Sequence, residues 1–295
     1  MRFLLCALLP LGLAACTGST PEALSKIEAP GAIYNGDTRE DVSTSSSPEK
    51  ELVKATAVLV HSYRLVPAQN PVVKLNSTPL EQLYPLCPNE KFLTQPTLGF
   101  CTGTLIAPNL VLTAGHCVEN QKDCNDSHFI FGWTEEKSRQ TLLPSSEIYN
   151  CKSIVKFELN IRKNIDYAIL ELDRPVPGVR PAKIAKEVLL KPDQTLLSLS
   201  HPLGLPVKKD YARVLSDTPE MHTFKVQVDT FSGSSGSPLY NTQGEIVGIL
   251  SRGMDDILQD DIYRVQKEGG CINFNACAVG LCFGQTYYKA PRIDL

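Results

Sequence analysis

The feature that most constrains this fold is a series of short apolar runs separated by turn-forming residues. Seven such runs follow Lys50, at 56–60, 102–106, 110–113, 166–172, 195–199, 224–228 and 245–250. Residues 224, 226 and 228 are apolar and alternate with polar neighbours, as in a strand with one buried face. The sequence 241–244, Asn-Thr-Gln-Gly, is typical of a hairpin turn. Because long helical periodicity is absent, the pattern predicts an all-β fold, either a sandwich or barrels.

Size and charge limit the classes of partner. With 295 residues, the chain is long enough for one large core or two smaller ones. Its formal net charge is −3, and it contains no run of basic residues. A phosphate-binding surface needs clustered Lys and Arg, so nucleic acid is excluded as an expected partner.

The N-terminal residues predict export. A basic start is followed by an apolar run to residue 15, too short to span a bilayer, so residues 1–15 are interpreted as a signal peptide. The sequence 13–16, Leu-Ala-Ala-Cys, resembles the lipobox of bacterial lipoproteins, which implies that Cys16 is lipidated and anchors the protein to a membrane. Thr17 then favours the outer membrane, facing the periplasm or the exterior. The alternative is an ordinary signal peptide with a cysteine near its cleavage site.

Composition suggests the domain organisation. Residues 16–50 are rich in Ser, Thr, Pro, Glu and Gly and predict a flexible tether, although the part around residues 33–36 has the composition to dock on the folded domain. The sequence 174–178, Arg-Pro-Val-Pro-Gly, interrupts the strand pattern. It predicts a linker between two halves, at residues 51–175 and 176–295.

Cysteine usage agrees with export. Of ten cysteines, Cys6 leaves with the signal peptide and Cys16 carries lipid, so eight remain, an even number that favours disulfides. A Cys101–Cys117 bond would fix the segment that carries His116. A Cys124–Cys151 bond is a further hypothesis. The stretch 271–282 is predicted to be a stapled loop that bridges back to Cys87. Zinc is disfavoured because no repeated Cys/His spacing occurs.

Three short segments carry nucleophilic chemistry. Ser235 lies between Gly233 and Gly236, in a loop able to turn backbone N–H groups toward one point. His116 follows an apolar run and offers a base for the serine proton. Asp166 precedes another apolar run, where its carboxylate is able to orient a histidine. Each residue alone has an ordinary structural explanation, and only their combination indicates catalysis.

Together these segments resemble the chymotrypsin-like serine peptidases. Residues 113–117, Thr-Ala-Gly-His-Cys, match the histidine motif of that family, and Gly-x-Ser-Gly-Ser-Pro at 233–238 matches its nucleophile motif. The order His, Asp, Ser is also that of the family. The resemblance implies two packed six-stranded antiparallel β-barrels. It also implies that His116 is the base, Asp166 its orienter and Ser235 the nucleophile, with an oxyanion hole formed by the N–H groups of Gly233 and Ser235.

Departures from the trypsin-like branch are informative. Ser234 stands where that branch has the aspartate that binds a newly cut N-terminus. Activation by N-terminal insertion is therefore not expected. The nucleophile motif is closer to the bacterial glutamyl-endopeptidase-like branch.

The resemblance also suggests a specificity pocket. Alignment places Asp229 at its floor and Ser251, Arg252 and Gly253 along one wall. The charge of Asp229 would favour basic substrate residues, which is the weak preference that the sequence suggests. Arg252 would either cancel that charge by pairing with Asp229 or itself favour an acidic substrate residue. Leu250 stands where glutamyl endopeptidases have a pocket histidine, so selection of glutamate is not implied.

The sequence therefore predicts an exported, monomeric serine endopeptidase that acts on proteins or peptides without a metal or other cofactor. The alternative is a non-catalytic lipoprotein that uses the same fold as a binding module. An α/β-hydrolase is rejected because its triad has the order Ser, Asp, His.

Overall fold

The computed structural model describes residues 33–34, 36–44, 47, 49–253, 267–268, 271–274, 276–277 and 283–293. The predicted signal peptide, Cys16 and Cys282 lie outside these ranges. None of the helices within them is both long and apolar enough to span a bilayer.

Six antiparallel strands close into a first barrel. Strands β1 to β6 are Thr56–His61, Cys101–Ala107, Leu110–Thr113, Ser127–Phe131, Ile148–Asn160 and Ile165–Leu172. Around the barrel they follow the order β1-β2-β3-β6-β5-β4, and β4 pairs with β1 to close it.

Six further strands form a second barrel. Strands β7 to β12 are Thr195–Ser200, Lys208–Asp217, Thr223–Gln227, Pro238–Tyr240, Glu245–Arg252 and Gln285–Lys289. Their order, β7-β8-β9-β12-β11-β10 with β10 pairing back to β7, repeats that of the first barrel. The prediction of two closed six-stranded antiparallel barrels is confirmed. The chain passes between them from Leu172 to Thr195, an interval that contains the predicted linker.

Short elements connect these strands. The α-helices of the described residues are Lys50–Ala55, Leu80–Leu83, Gln121–Asn125 and Glu135–Ser138. The 3₁₀ turns are Ser62–Arg64, Gly115–Cys117, Ser145–Glu147, Ile161–Lys163, Pro202–Gly204 and Ala290–Arg292. Outside the barrels, the short strands are Ile33–Tyr34, Glu40–Asp41, Leu65–Pro67, Val72–Leu75, Thr78–Pro79, Pro96–Thr97, Leu142–Pro144, Lys183–Ile184, Lys267–Glu268, Cys271–Ile272 and Ala276–Cys277.

Strand β6 explains why the sequence has an unbroken apolar run after Asp166. Alternate side chains of a strand point to opposite faces, and both faces of β6 are covered. One face, formed by Ala168, Leu170 and Leu172, packs inside the first barrel. The other, formed by Ile165, Tyr167 and Ile169, packs against the second. Tyr167 stacks on Tyr288 across this interface, with ring centroids 5.3 Å apart, so the two barrels share one apolar contact surface.

Three disulfides among the described residues support the fold. They join Cys101 to Cys117, Cys124 to Cys151 and Cys87 to Cys271. These are the pairings that the sequence suggested, including the bridge from the C-terminal stretch to Cys87. Disulfides of this number are typical of proteins that fold in an oxidising compartment outside the cytosol.

Part of the predicted tether is folded. Ile33–Tyr34 pairs with Ala276–Cys277, and Glu40–Asp41 pairs with the start of β8. Val42 is buried in the apolar cluster between the barrels. Residues 33–34 and 36–42 therefore lie on the folded domain. The sequence leaves docking open around residues 33–36, whereas the prediction of a flexible tether does not hold for residues 37–42. The reason is that this segment finds partners far along the chain, which its composition does not reveal.

Candidate active site

His116 lies in a tight turn at the end of a buried strand. Strand β3 leads into the 3₁₀ turn Gly115–Cys117. The Cys101–Cys117 disulfide ties this turn to the start of β2. A Cβ atom on Gly115 would lie 3.1 Å from Asp166 Oδ1, so glycine allows the turn to approach the carboxylate closely. The histidine side chain itself is one-third exposed.

Asp166 binds the histidine with both oxygens. Its Oδ2 lies 2.7 Å from His116 Nδ1, and its Oδ1 accepts the backbone N–H of His116 at 3.0 Å. A carboxylate contact at Nδ1 requires the ring proton there, which leaves Nε2 as the basic nitrogen. Asp166 is 3% exposed, and the low polarity around a buried pair strengthens this interaction.

Ser251 supplies a third bond to Asp166. Its hydroxyl donates to Asp166 Oδ2 at 3.0 Å and is itself buried. The sequence analysis placed Ser251 on the wall of a specificity pocket, whereas its side chain faces the carboxylate. It therefore helps to hold Asp166 from the opposite barrel.

The loop around Ser235 has its carbonyl groups bound to other parts of the protein. The oxygen of Ser232 accepts the N–H of Leu203 at 2.6 Å, and that of Ser234 accepts the N–H of Ser237 at 2.9 Å. In a trans peptide the N–H points opposite to the C=O. The N–H groups of Gly233 and Ser235 are therefore turned the other way, and neither donates to an acceptor within the described residues.

Thr102 fixes two other carbonyls of this loop. Its N–H donates to the oxygen of Ser235 at 2.8 Å, and its hydroxyl donates to that of Gly233, also at 2.8 Å. The hydroxyl in turn accepts the N–H of His201 at 3.0 Å. Thr102 is fully buried in the first barrel, so it connects that barrel to the loop of the second.

Two glycines allow the loop to lie so close to the first barrel. Gly233 and Gly236 have φ angles of +89° and +81°, in the left-handed region that favours glycine. A Cβ on Gly236 would lie 2.4 Å from the oxygen of Thr102 and 2.7 Å from the nitrogen of Ala114. Ala114 is two residues before His116, so the nucleophile loop and the histidine turn are in contact.

The residue after His116 also approaches Ser235 at this contact. The Sγ of Cys117, the residue after His116, is 3.9 Å from the carbonyl oxygen of Ser235. Ser235 is partly exposed. Cys101, His116 and Cys117 offer ligand atoms within 4.8 Å of one another, but both sulfurs belong to a disulfide and are not metal-binding thiolates.

His201 is not a second base. It is fully buried, and burial lowers its pKa to about 3, so the ring stays neutral. Its Nδ1 lies 2.9 Å from the carbonyl oxygen of Leu205. The residue forms part of the support behind the Ser235 loop, because its N–H donates to the Thr102 hydroxyl.

Asp229 does not form the floor of an open pocket. Its carboxylate is 2% exposed and accepts the N–H of Tyr34 at 2.6 Å and that of Thr38 at 2.9 Å. Its own N–H donates to Asp210. Burial, and then the charge of Asp210, raise the pKa of Asp229 to about 7. The expectation of an available negative charge is therefore wrong, because the N-terminal segment covers it.

Replacing Asp229 with Asn should flatten the pH dependence of stability. The unfolded carboxyl loses its proton near its ordinary pKa of 3.8, whereas the folded one keeps it until about pH 7. The free energy of unfolding of the wild type should therefore fall between these values and then level off. The shift corresponds to about 4 kcal/mol at most, at about 1.4 kcal/mol per pH unit. Denaturant titrations from about pH 4 to about pH 8 measure it.

Asp193→Asn is the matched control, because Asp193 is exposed on the same barrel. Its stability should follow the wild-type pH curve. Parallel curves for wild type and Asp229→Asn would contradict the assignment.

The other residues of the predicted wall lie at the end of β11, with Arg252 its last residue and Gly253 directly after it. Arg252 donates to the carbonyl oxygen of Ile161 at 3.5 Å rather than pairing with Asp229. A Cβ on Gly253 would lie 3.3 Å from Gln285 Oε1, which is buried. Thr102, Leu203 and Asp210 were missed by the sequence analysis. They act through backbone geometry and long-range contacts, for which the sequence carries no motif.

Comparisons with known proteins agree with this geometry. The family of trypsin-like peptidase domains matches residues 101–249, which include all three candidate triad positions. The chain belongs to this family and is a peptidase of the hydrolase class.

The individual proteins that resemble this chain share little sequence identity with it. Brachyurin from Leptuca pugilator is 26% identical over 205 residues, which are 69% of this chain and 81% of brachyurin. The solved structure of a Glu endopeptidase has a TM-score of 0.52 and 18% identity, covering 88% of this chain and 94% of its own. An inactivated protease paralogue of the scabies mite has a TM-score of 0.50 and 17% identity, covering 86% and 94%. At these identities the two structures establish the fold alone.

Proposed function

We propose that the protein is a serine endopeptidase in which His116, Asp166 and Ser235 act as a triad. The observation that carries the proposal is the two-point bond from Asp166 to His116, with the Ser235 loop packed against the histidine turn. This arrangement supports a base whose proton position is fixed beside a serine whose loop presents unused N–H groups.

The reaction follows from these positions. His116 Nε2 takes the proton of Ser235 Oγ as the oxygen bonds to the carbonyl carbon of the substrate. The N–H groups of Gly233 and Ser235 bind the oxyanion that forms. The peptide C–N bond then breaks as His116 returns the proton to the leaving amine. Water, activated by the same nitrogen, releases the acyl group from Ser235.

The substrate is a protein or peptide. The predicted preference for basic substrate residues is withdrawn. It depended on the carboxylate of Asp229, which is buried beneath the N-terminal segment. We propose no other preference for a substrate side chain in its place.

Export and anchoring form a second part of the proposal. The motif Leu-Ala-Ala-Cys at 13–16 and the three disulfides support a lipid-anchored protein of the bacterial envelope, most simply in the outer membrane. Metabolic labelling with a radioactive fatty acid should modify the full-length chain and not its Cys16→Ser variant. Equal labelling of the full-length chain and the Cys16→Ser variant would contradict the proposed lipid anchor at Cys16.

A fluorophosphonate probe tests the catalytic proposal, since it reacts with activated serines. We expect mass spectrometry to find the adduct on Ser235 of the full chain carrying Cys16→Ser. Labelling should vanish in Ser235→Ala and fall by several orders of magnitude in His116→Ala. Ser232→Ala is the control, because Ser232 is an exposed serine of the same loop.

The opposite result is also informative. A folded protein that contains the disulfides described above but fails to react would contradict the proposal and favour a binding module on the protease fold. Similarity to an inactivated paralogue makes this the alternative that the probe must exclude.

A further inference from the structure

The N-terminal segment of residues 33–34 and 36–42, hereafter the N-terminal brace, is attached to the second barrel at several points. Backbone pairing holds both of its ends. Between them, Asp229 accepts two of its N–H groups. Lys91 Nζ donates to the carbonyl oxygens of Asp37 and Arg39, at 2.6 and 3.1 Å. Asp41 pairs with the buried Lys208.

Arg39 is the central contact of the brace. It is 1% exposed, and its guanidinium lies 4.4 Å from the ring centroid of Phe231, with Phe92 and Phe274 at 5.3 and 5.5 Å. Asp37 binds it with both oxygens, at 2.6 and 2.9 Å. A cation over an aromatic face is attracted by the ring quadrupole, most strongly away from water.

Phe231 connects this contact to the nucleophile loop. Its carbonyl accepts the N–H of Ser234 at 2.9 Å, and its own N–H donates to Ser234 Oγ at 3.3 Å. Ser234 directly precedes Ser235. Ile33, at the start of the brace, packs in one apolar cluster with Phe231 and Leu203. Leu203 is the residue whose N–H orients the peptide before Gly233.

Stability alone does not account for a buried ion pair here. Removing two charges from water is costly, and apolar residues of similar volume often serve equally well or better. The Asp37–Arg39 pair instead lies where the guanidinium of Arg39 contacts the ring of Phe231 and restrains it. The peptide before Gly233 is thus held by Leu203, which packs with Ile33 of the brace, and Ser234, the residue before Ser235, is held by Phe231, which Arg39 contacts.

We propose that the N-terminal brace, through Arg39, is a positioning element that keeps the oxyanion hole in its working shape. This rests on the proposed peptidase function. Arg39 does not touch substrate; it acts through Phe231 on Ser234, the residue between Gly233 and Ser235. In the trypsin-like branch, a newly cut N-terminus binds an aspartate at the position of Ser234. Serine has no charge to bind such an N-terminus, so in this protein the brace takes over its supporting role.

The test replaces the ion pair as a unit, so that no lone charge is left buried. In the full chain, Asp37→Asn/Arg39→Met should lower kcat by about 10- to 100-fold, since loss of one oxyanion donor costs about 10²- to 10³-fold. KM should stay within about threefold. Affinity for a peptide aldehyde, which forms the oxyanion, should fall with kcat/KM. The single variant Arg39→Lys, which retains a cation, should restore part of the rate.

Asp193→Asn/Arg213→Met is the matched control, because it removes an exposed pair of the same chemistry from the same barrel. It should leave kcat unchanged. A brace variant that behaves like this control, or one that loses kcat only in proportion to its unfolded fraction, would overturn the proposal.

Hydrogen exchange separates this proposal from the peptidase function. Mass spectrometry of the peptide 229–237 should show faster exchange in the brace variant, because the Ser234 N–H loses its fixed acceptor. If the wild type does not react with the fluorophosphonate but exchange still increases in the brace variant, the peptidase proposal fails, whereas the structural coupling of the brace to the 229–237 loop is retained. Unchanged exchange at 229–237 overturns the brace, whatever the wild-type activity.

Discussion

Asp166→Asn should lower kcat about 10⁴-fold with little change in KM. The backbone N–H of His116 is able only to donate, so it would keep the amide oxygen at the Oδ1 position, while the Ser251 hydroxyl at the Oδ2 position is able to rotate and accept. The amide nitrogen would then face Nδ1 and force the ring proton onto Nε2. That nitrogen would no longer be able to accept the proton of Ser235. Steady-state kinetics with a fluorogenic peptide would measure the effect.

Asp193→Asn is the control for this change as well, and it should keep wild-type kcat. The melting temperature of Asp166→Asn must stay near that of the wild type for the comparison to hold. A loss below about tenfold in a folded variant would show that Asp166 does not set the histidine tautomer.

Gly236→Ala should destabilise the protein by more than about 4 kcal/mol, or prevent folding. The added methyl group would lie 2.3 Å from Thr113 Oγ1 and 2.4 Å from the oxygen of Thr102. The Thr102 oxygen belongs to the backbone of β2 and has no freedom to move aside. The residue also has a φ angle of +81°, which adds strain to any L-residue. Denaturant unfolding, or recovery of soluble protein, provides the measurement.

Gly178→Ala separates the two causes. Gly178 has a similar φ angle of +72° but nothing within 4 Å of a Cβ atom. It should cost only about 1–2 kcal/mol, the strain of the left-handed conformation. Equal losses at the two glycines would show that backbone strain, rather than contact between the barrels, makes Gly236 necessary.

The residues of the candidate triad could be predicted because short motifs surround them. The glycines beside Ser235 and the cysteine after His116 are visible in sequence, and each has a local geometric purpose. Strand periodicity likewise predicted an all-β fold. The number of barrels came from the family resemblance, since closure depends on pairing between distant strands.

The surroundings of the triad were harder to predict. Asp229 is bound by Tyr34, 195 residues away in the chain, so no local pattern reveals that its carboxylate is covered. Ser251 reaches Asp166 across 85 residues. The composition of residues 33–42 does not distinguish a linker from a docked segment. Gly36 and the polar residues after it are typical of both. Contacts of this kind are fixed only when the whole chain has folded.

The repeated strand order of the barrels has a consequence for timing. Strand β12 closes the second barrel by pairing with both β9 and β11, and it follows Ser235 by some fifty residues. The first barrel needs nothing beyond β6 to close, so it is complete much earlier as the chain emerges. His116 and Asp166 belong to the first barrel, but Ser251, which binds Asp166, and the Ser235 loop belong to the second, so the candidate site is complete only after β12 has paired. A partly synthesised chain is therefore expected to lack the activity that we propose for the whole protein.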